Sequence, residues 1–500
     1  MKDSTLYLLD IVRYYLKVTR KTFNDTELCK VLLSDPTFPS LASICRTFEF
    51  YGFKTEAYKT DKTDIDQVKD RIIHTSSHGG HFFIVLNVGE NDVTLFDSKR
   101  YVISKVQFLN LWDGIMLAIN ASKDNKDNIV SNDFKHTLIV LLSIVACVSF
   151  MLLISSLLTV VNIFLDVVGI YLCMILIRRR IGFPQSGEFC KIGEKFDCDY
   201  VSSKQPLYNK IPISLDEVGL FYFGENLLVG LISESNIFTV SMSFIAAFVS
   251  ILLAAYQIIG IKKYCIYCFC IYVICFTEGF FAYFTIGNLS ELDFPKSLAM
   301  NLPEILIAIV ICVLYTKLEW TKYKSLEKSI ELLKIKRIPD VYRALSDKRP
   351  ILDKNPLSGL KYGNDKAACE IVIFASLSCK YCRETIKEIS ILIEKFPEKF
   401  KCMVILTKST VDGIDYSKEL SLVEDYLQGH VNINTLLTKE LPIKRTEEIS
   451  NTAKSFVASM DTEISNFPIA SIPFVVINGY KMPNTYKLTD YQYINSGVYM

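Results

Sequence analysis

Long apolar runs occupy the middle of the chain, from about residue 137 to 319, whereas both flanks mix apolar and charged positions. About 20 apolar residues are enough for one helix to cross a bilayer, so this block predicts a polytopic α-helical membrane bundle. It divides into six candidate spans, at 137–158, 160–177, 218–233, 238–260, 268–286 and 298–316. The third span is the shortest and contains Glu225, so its limits are the least sharply defined.

The flank before the membrane block predicts a compact α/β domain. Apolar residues recur at helical spacing in 5–18 and again in 41–51. Strand-like runs follow in His81–Val88 and Asp92–Phe96, with Gly, Glu and Asn between them as turn residues.

The flank after the membrane block opens with a charged, helix-prone stalk and continues as a second α/β domain. A strand at 370–375 and a helix at 383–394 come first, and a strand at 474–478 with a last helix near Asp490 closes the domain. The chain is therefore predicted to be multidomain, with divisions at 1–125, 137–320, 317–348 for the stalk, and 349–500.

The charge balance excludes one class of partner. The sequence has 55 Lys and Arg against 54 Asp and Glu, a net charge of +1, and no long basic block. Nucleic-acid binding requires a basic patch or stripe, so no nucleic-acid partner is predicted. The first 120 residues show no isolated apolar core behind basic residues, as a signal peptide would, so any export is expected to use the later spans.

Ten of the fifteen cysteines fall into two groups. Four lie in apolar runs, where a cysteine is usually a small buried hydrophobe, and these are Cys147, Cys173, Cys275 and Cys312. Six form three closely spaced pairs, which are Cys190/Cys198, Cys265/Cys268 and Cys379/Cys382. We predict that the three pairs pass electrons among themselves by thiol–disulfide exchange.

Two residues separate Cys379 from Cys382, and the pair lies between an apolar strand and a helix. A thiol at a helix N-terminus meets unpaired N–H groups and the positive end of the helix dipole, which favours the reactive thiolate. The second cysteine can then attack a mixed disulfide formed at the first. The alternatives are two buried thiols or half of a zinc site, for which the other ligands, Cys369, Cys402 and His430, are irregularly spaced.

This segment resembles the thioredoxin fold, and the resemblance has a second element in Ala-Ser-Ile-Pro-Phe-Val-Val-Ile-Asn-Gly at 470–479. It implies that Pro473 packs beside the reactive cysteines and that the Ile472–Pro473 peptide bond is cis, a state open to X-Pro bonds. The insertion at 420–466 is predicted to be mostly helical, as in members that resemble bacterial disulfide-forming proteins.

A second motif, Tyr-Cys-Ile-Tyr-Cys at 264–268, lies between the fourth and fifth spans, and the loop that carries Cys190 and Cys198 precedes it. Together with the segments 199–203, 211–214 and 219–223, these residues resemble the vitamin K epoxide reductase family over about 158–320.

That resemblance implies a quinone, menaquinone or ubiquinone, bound near Cys265 and Cys268, with the loop pair passing electrons to them. Ser203 is the candidate quinone contact, because Lys204 stands where this family often has a serine. The alternative for Cys265 and Cys268 is a structural disulfide or two inert thiols.

Three segments of the first domain resemble papain-like cysteine peptidases fused to double-glycine-leader peptide exporters, and they lie at 80–86, 93–97 and 112–114. The resemblance makes His81 and Asp97 the counterparts of catalytic residues. The nucleophilic cysteine expected before the first helix is missing, since residues 3–5 are Asp, Ser and Thr. Without a thiolate His81 has nothing to activate, so we expect an inactive, vestigial peptidase that can still bind leader peptides.

A histidine cluster in the same domain raises the question of a metal. His74, His78 and His81 lie on a Ser/Gly-rich turn and a strand rather than on one helical face. We therefore predict no metal site.

The order of the spans predicts on which face the pairs lie. Two spans separate Cys198 from Cys265, and two more separate Cys268 from the last domain, so all three pairs are expected on one membrane face. The positive-inside rule would place that face in the cytoplasm, because the basic runs 178–180 and 262–263 lie on it. Disulfide formation belongs outside the cytoplasm, so we favour the periplasmic or extracellular face of the inner (plasma) membrane.

The leading functional hypothesis is a quinone-dependent thiol oxidase that generates disulfide bonds in exported proteins or peptides. Electrons would pass from client thiols to Cys379/Cys382, then to Cys190/Cys198, then to Cys265/Cys268 and the quinone. One rival is a quinone or epoxide reductase fed by the last domain. Another is a peptide-binding accessory of an export system.

Overall fold

The structure is a computed structural model, and it describes most of the chain. The described residues are 7–62, 65–75, 80–121, 157–182, 196, 198–203, 214–232, 236–285, 294–346, 358–407, 417–437, 449–465, 467, 469 and 471–494. They belong to two compact units, one of Met1–Leu32 and Pro39–Ser329 and one of Leu33–Phe38 and Ile330–Met500.

Three helices open the chain, α1 (Tyr7–Val18), α2 (Asp25–Leu33) and α3 (Leu41–Phe50). α1 buries a stripe of leucine, isoleucine and valine side chains at helical spacing, as its sequence predicted. The Ser40 hydroxyl accepts the backbone N–H of Ser43 and so caps α3. Over the described residues, the helices predicted at 5–18 and 41–51 are confirmed as α1 and α3.

The N-terminal sheet has six antiparallel strands in the order β1-β6-β2-β3-β4-β5. They are β1 (Phe53–Lys59), β2 (Ile72–Thr75), β3 (His81–Val88), β4 (Asp92–Phe96), β5 (Arg100–Ser104) and β6 (Trp112–Ala121), with α4 (Lys105–Leu111) before β6. β3 and β4 have the limits that the sequence predicted. Their register, Ile84 opposite Phe96, brings the start of β3 to the end of β4.

The middle of the chain is helical. Its helices are α5 (Leu157–Ile181), α6 (Cys198–Ser203), α7 (Leu215–Ile232), α8 (Ile237–Ala255), α9 (Ile266–Thr285), α10 (Phe294–Met300) and α11 (Leu302–Lys336). α8 continues as one π-helical turn, Tyr256–Ile261. Within the described ranges, Leu158–Ile181, Ile237–Ile261 and Ile266–Phe284 are long and apolar enough to cross a membrane. The pair α10 and α11, bent by 53°, can form a fourth span.

The six predicted spans are thus supported in part. The first lies mostly outside the described residues. The third forms α7, which is less apolar than the three helices above because it carries Asp216, Glu217 and Glu225, although it packs inside the same bundle. The sixth span and the first part of the predicted stalk form one helix, because α11 runs from Leu302 to Lys336 and neither Pro nor Gly follows Pro303 in it.

α5 and α7 approach each other closely at a glycine. A Cβ atom placed on Gly169 of α5 would lie 2.7 Å from ring atoms of Phe223 of α7. Phe223 is fully buried and belongs to the apolar core that these helices share with α9. Small residues allow such close helix packing inside membranes, where apolar burial alone gives little preference for one neighbour.

The second unit contains an α/β domain with a five-stranded sheet in the order β11-β10-β8-β9-β7. Its strands are β7 (Leu360–Gly363), β8 (Cys369–Ala375), β9 (Phe400–Leu406), β10 (Phe474–Ile477) and β11 (Tyr480–Lys481). Its helices are α12 (Pro339–Leu345), α13 (Lys380–Lys395), α14 (Ser417–Leu427) and α15 (Asn451–Ser465).

β8 and β9 are parallel, and the other strand pairs of this sheet are antiparallel. The insertion between the two motifs is helical where it is described, as predicted. The expected architecture is confirmed: an N-terminal peptidase-like α/β domain, a set of apolar helices and a C-terminal thioredoxin fold.

Candidate active site

The turn between β8 and α13 presents one cysteine and buries the other. Cys379 caps α13, and its Sγ accepts the backbone N–H of Cys382 at 3.3 Å. Burial opposes ionisation of Cys379, but hydrogen bonds from the Cys382 thiol and from the N–H groups of Cys382 and Tyr381 lower its pKa. Burial and the hydrogen bond to Cys379 raise the pKa of Cys382 to about 12. Cys379, which is partly exposed, is therefore the better nucleophile of the two.

The Ile472–Pro473 peptide bond is cis, as the resemblance implied. β10 begins directly after it, and Phe474 pairs with Phe374 near the end of β8. This antiparallel register places Pro473 at the same end of the sheet as the turn that carries the two cysteines.

Three cysteines meet at one end of the membrane helices. The Cys198 and Cys265 thiols are in hydrogen-bonding contact, and Cys265 Sγ accepts the backbone N–H of Cys268 at 3.3 Å. These residues are 1%, 0% and 8% exposed, respectively, and pack with Leu176 and Val201. We call Cys198, Cys265 and Cys268 the cysteine cluster.

Aromatic contacts hold the two segments of the cysteine cluster together. Phe196 and Tyr264 form an isolated parallel β-bridge, with ring centroids 5.6 Å apart. The Nζ of Lys263 lies 4.3 Å from the centroid of the Tyr200 ring. Phe196, two positions before Cys198, is therefore paired with Tyr264, the residue directly before Cys265.

A glutamine in the π-helical turn connects the cysteine cluster to a tyrosine. Gln257 Oε1 accepts the backbone N–H of Cys265 at 3.2 Å, and its Nε2 donates to the Tyr272 hydroxyl at 2.8 Å. Tyr272 lies one turn after Cys268 on α9. The amide thus fixes both the first residue of the cysteine turn and the phenol.

An open cavity adjoins the cysteine cluster. Most of its lining is apolar and comes from α5, α7, α8 and α9. Its lining also includes Cys268, Gln257, Tyr272, Tyr222 and Asp216. An apolar cavity with a few polar groups suits a mostly apolar ligand.

Buried ion pairs hold the start of α7 at this cavity. Arg180 Nε donates to Asp216 Oδ2 at 2.9 Å, and its Nη2 donates to Glu217 Oε1 at 2.7 Å. The other Glu217 oxygen accepts the backbone N–H of Ser214 at 3.0 Å. The guanidinium therefore joins the end of α5 to the first turn of α7.

The N-terminal domain pairs two of its histidines with carboxylates. His81 Nε2 lies 3.0 Å from Asp97 Oδ2, and His74 is hydrogen-bonded to Asp113. The ring of Tyr7 stacks on the His81 imidazole, with centroids 3.9 Å apart and planes 7° from parallel. The Tyr7 hydroxyl accepts the backbone N–H of Phe82 at 3.2 Å. An aromatic ring therefore covers one face of the imidazole.

The vitamin K epoxide reductase family matches residues 160–283, which include the cysteine cluster and most of its cavity. This part of the chain is similar to the vitamin K epoxide reductase family. The peptidase C39 family matches residues 21–124, which include His81 and Asp97. No curated protein matches the chain. The family match and the apolar helices support a membrane protein with a thiol–disulfide redox function.

Several solved structures are similar to parts of the chain. The peptidase domain of Streptococcus ComA is 18% identical and covers 24% of this chain and 96% of its own, with a TM-score of 0.22. The thiol-disulfide exchange protein α-DsbA2 from Wolbachia pipientis is 13% identical and covers 27% and 83%, with a TM-score of 0.22. The catalytic domain of Proteus mirabilis ScsC is 13% identical and covers 32% and 97%, also with a TM-score of 0.22.

The structure brings together three of the six predicted relay cysteines, Cys198, Cys265 and Cys268. Separately, in the second unit, Cys379 and Cys382 share one turn. Cys190 lies outside the described residues. Ser203 is the last residue of α6, and its side chain is outside the described part of the chain. The sequence reasoning missed Gln257 and Tyr272. Gln257 carries the only amide in the predicted fourth span, which is the signal that could have found it.

Proposed function

We propose that the chain is a quinone-dependent thiol oxidase that generates disulfide bonds in exported proteins or peptides. A client thiolate attacks the Cys379–Cys382 disulfide, and the client leaves oxidised. The resulting dithiol reduces Cys190–Cys198, and that pair reduces Cys265–Cys268. In each step one disulfide bond forms as another breaks, and two electrons and two protons change sides.

The contact between Cys198 and Cys265 carries the proposal. Thiol–disulfide exchange requires the attacking sulfur to reach one sulfur of the disulfide, and Cys198 meets Cys265 rather than an apolar wall. Both thiols are shielded from water. Electrons can therefore pass from the loop to the membrane pair without an external thiol.

The cavity beside Cys268 fits a quinone, which we propose to be menaquinone or ubiquinone. When bound, a quinone supplies a two-electron acceptor. Its tail would pack on the apolar walls, and the Gln257–Tyr272 pair offers polar groups for its head. Cys268 is part of the lining, so Cys265 and Cys268 can lose two electrons there as they close to a disulfide.

The N-terminal domain is proposed to be an inactive peptidase that binds leader peptides. The match to the peptidase C39 family supports peptide recognition. Tyr7 lies flat on the imidazole that would have to activate a thiol. We keep 1–125, 137–320, 317–348 and 349–500 as the proposed divisions of the chain.

We also propose that the cysteine pairs lie on the periplasmic or extracellular face of the inner membrane. Disulfides persist in oxidising compartments, and this is the argument for that face. After mild reduction, a membrane-impermeant maleimide should label Cys379 in intact cells. Labelling only after lysis would place the relay in the cytoplasm and contradict the oxidase.

Cross-linking within the cysteine cluster tests the relay. In Cys190→Ser/Cys268→Ser, the loop and membrane pairs retain only Cys198 and Cys265, and mild oxidation should join these two in a disulfide detected by mass spectrometry. In the matched Cys190→Ser/Cys265→Ser variant, Cys198 faces only Cys268, and we expect little cross-link. Equal cross-linking in both variants, or none in either, would contradict the proposed exchange.

The oxidase direction has its own assay. Purified wild-type chain, a reduced dithiol peptide and decylubiquinone should yield oxidised peptide and quinol in equal amounts. The Cys265→Ser variant should yield neither. Formation of peptide dithiol from peptide disulfide and quinol, without the reverse, would favour a reductase instead.

A further inference from the structure

A line of acidic side chains runs through the interior of the membrane helices, away from the cysteine cluster. Tyr222 of α7 lines the cavity and donates its O–H to Glu278 Oε2 of α9 at 2.8 Å. Asp166 of α5 lies within hydrogen-bonding reach of Glu278 and within electrostatic range of Glu225 of α7. Glu225 in turn lies within electrostatic range of Glu304 of α11, the helix that α7 meets at Gly224 and Ala308.

Among the residues that the structure describes, three of these carboxyls are buried without a compensating cation. Asp166, Glu225 and Glu278 are 3%, 1% and 4% exposed, and within the described ranges none of them forms an ion pair. Each has one oxygen without a hydrogen-bond partner among the described residues. An isolated carboxylate is very costly in an apolar interior, so such groups hold their protons. Ionisable residues inside membrane segments mark ion or proton pathways.

The line leads toward the end of the bundle opposite the cysteine cluster. Glu278 lies ten positions after Cys268 on α9, which is about 15 Å along the helix axis. α8 starts after Asn236, and its π-helical continuation ends at Ile261, shortly before Cys265. Asn236 therefore lies at the end of the bundle opposite the cysteine cluster. Its side chain donates to Asn301 at 2.8 Å, and Glu304 stands within one turn of Asn301.

We propose that Glu304, Glu225, Asp166, Glu278 and Tyr222 form a proton route from the membrane face opposite the cysteines to the cavity. The inference rests on the proposed oxidase function and adds the source of the protons. As Cys265 and Cys268 close to a disulfide, two electrons go to the quinone and the two thiol protons leave on the cysteine face. The Tyr222 hydroxyl passes two protons, in turn, to the quinone oxygens. Each is replaced from Glu278 and the carboxyls behind it.

The protonation of these carboxyls is testable in the quinone-free protein. Dicyclohexylcarbodiimide reacts with protonated carboxyls in apolar surroundings, so mass spectrometry should find adducts on Glu278 or Glu225. Glu319 is an internal control, because it is equally buried but pairs with Lys322 at 2.8 Å and should stay unlabelled. Absence of adducts from Asp166, Glu225 and Glu278 would overturn the proposal.

Proteoliposomes test the direction of proton movement. The proteoliposomes contain decylubiquinone as electron acceptor and a pH-sensitive dye in the lumen. A membrane-impermeant dithiol peptide added outside supplies electrons only to protein molecules whose cysteines face outward. We expect the lumen to lose two protons for each quinol formed. The Glu278→Gln variant keeps an acceptor for Tyr222 but carries no proton, so quinol formation should fall by about 10²-fold, the scale of a lost proton-transfer group.

The two hypotheses fail in different ways. If the wild type forms quinol at full rate while the lumen pH stays constant, or if Glu278→Gln keeps the wild-type rate, the proton route is wrong and the oxidase stands. If the wild type forms no quinol, the oxidase is wrong. The Cys198–Cys265 cross-link in the Glu278→Gln background must remain, since its loss would mean that the variant has only disturbed the fold.

Discussion

The contact between Gly169 and Phe223 allows a sharp test of how the membrane helices pack. Replacing Gly169 with alanine puts a methyl group 2.7 Å from three ring atoms of Phe223, closer than carbon atoms can pack. Phe223 is fully buried, so its ring cannot turn away without displacing other residues of the core. α5 and α7 would have to separate.

The magnitude follows from two opposing terms. Overfilling a packed core costs about 1–3 kcal/mol, whereas Gly to Ala in a helix interior gains about 1 kcal/mol. Gly224 of α7 is the matched control, because its added Cβ would meet only Ala308 Cβ at 4.0 Å, an ordinary contact. The helix gain is common to both variants, so Gly169→Ala should be about 1–3 kcal/mol less stable than Gly224→Ala.

The assay is the fraction of protein that stays folded after heating in detergent, read by size-exclusion chromatography of a fluorescent fusion. Gly224→Ala should match or exceed the wild type, and Gly169→Ala should lose folded protein at lower temperature. Combining Gly169→Ala with Phe223→Leu removes the ring and should close part of the gap. Equal stability of the two alanine variants would refute the close approach of α5 and α7.

Two further predictions concern charge. In the reduced chain, alkylation of Cys379 should reach half its maximal rate at a pH below that of an ordinary thiol, while Cys382 stays unreactive. Cys382→Ala removes the side-chain donor to Cys379 and should move the Cys379 midpoint upward. Arg180→Met leaves the Asp216 carboxylate buried without its guanidinium and should cost about 3–5 kcal/mol in the heating assay. Arg178→Met, whose side chain is half exposed, should cost no more than about 1 kcal/mol, and equal losses would contradict this assignment.

Much of the fold could be predicted because local patterns decide it. Alternating apolar positions gave β3 and β4 their limits, and helical spacing gave α1 and α3. The cis bond at Pro473 followed from the resemblance to the thioredoxin fold. Where length and hydropathy were the only guides, the prediction was weaker: α7 is a helix with three carboxylates, and α11 joins a span to the stalk.

The residues around the cysteine cluster could be predicted only in part. Spacing identified Cys265 and Cys268, because both lie in one turn. Gln257 and Tyr272 were missed, since a side-chain hydrogen bond between two helices leaves no period in the sequence. For the same reason, the sequence did not show which cysteine of the membrane pair Cys198 contacts.

By itself, the sequence determined the order of the domains, most of the described helices and strands, and the close spacing of Cys265 with Cys268 and of Cys379 with Cys382, because each of these depends on neighbours within a few residues. Only the tertiary structure decided that Cys198 meets Cys265, that Cys268 lines a cavity, and that Glu278 lies against Tyr222 and Asp166. These contacts join residues from different helices, and their distances depend on how close the helices pack, which Gly169 illustrates. Periodicity records which face of a helix is apolar, but not which side chains of two facing helices touch.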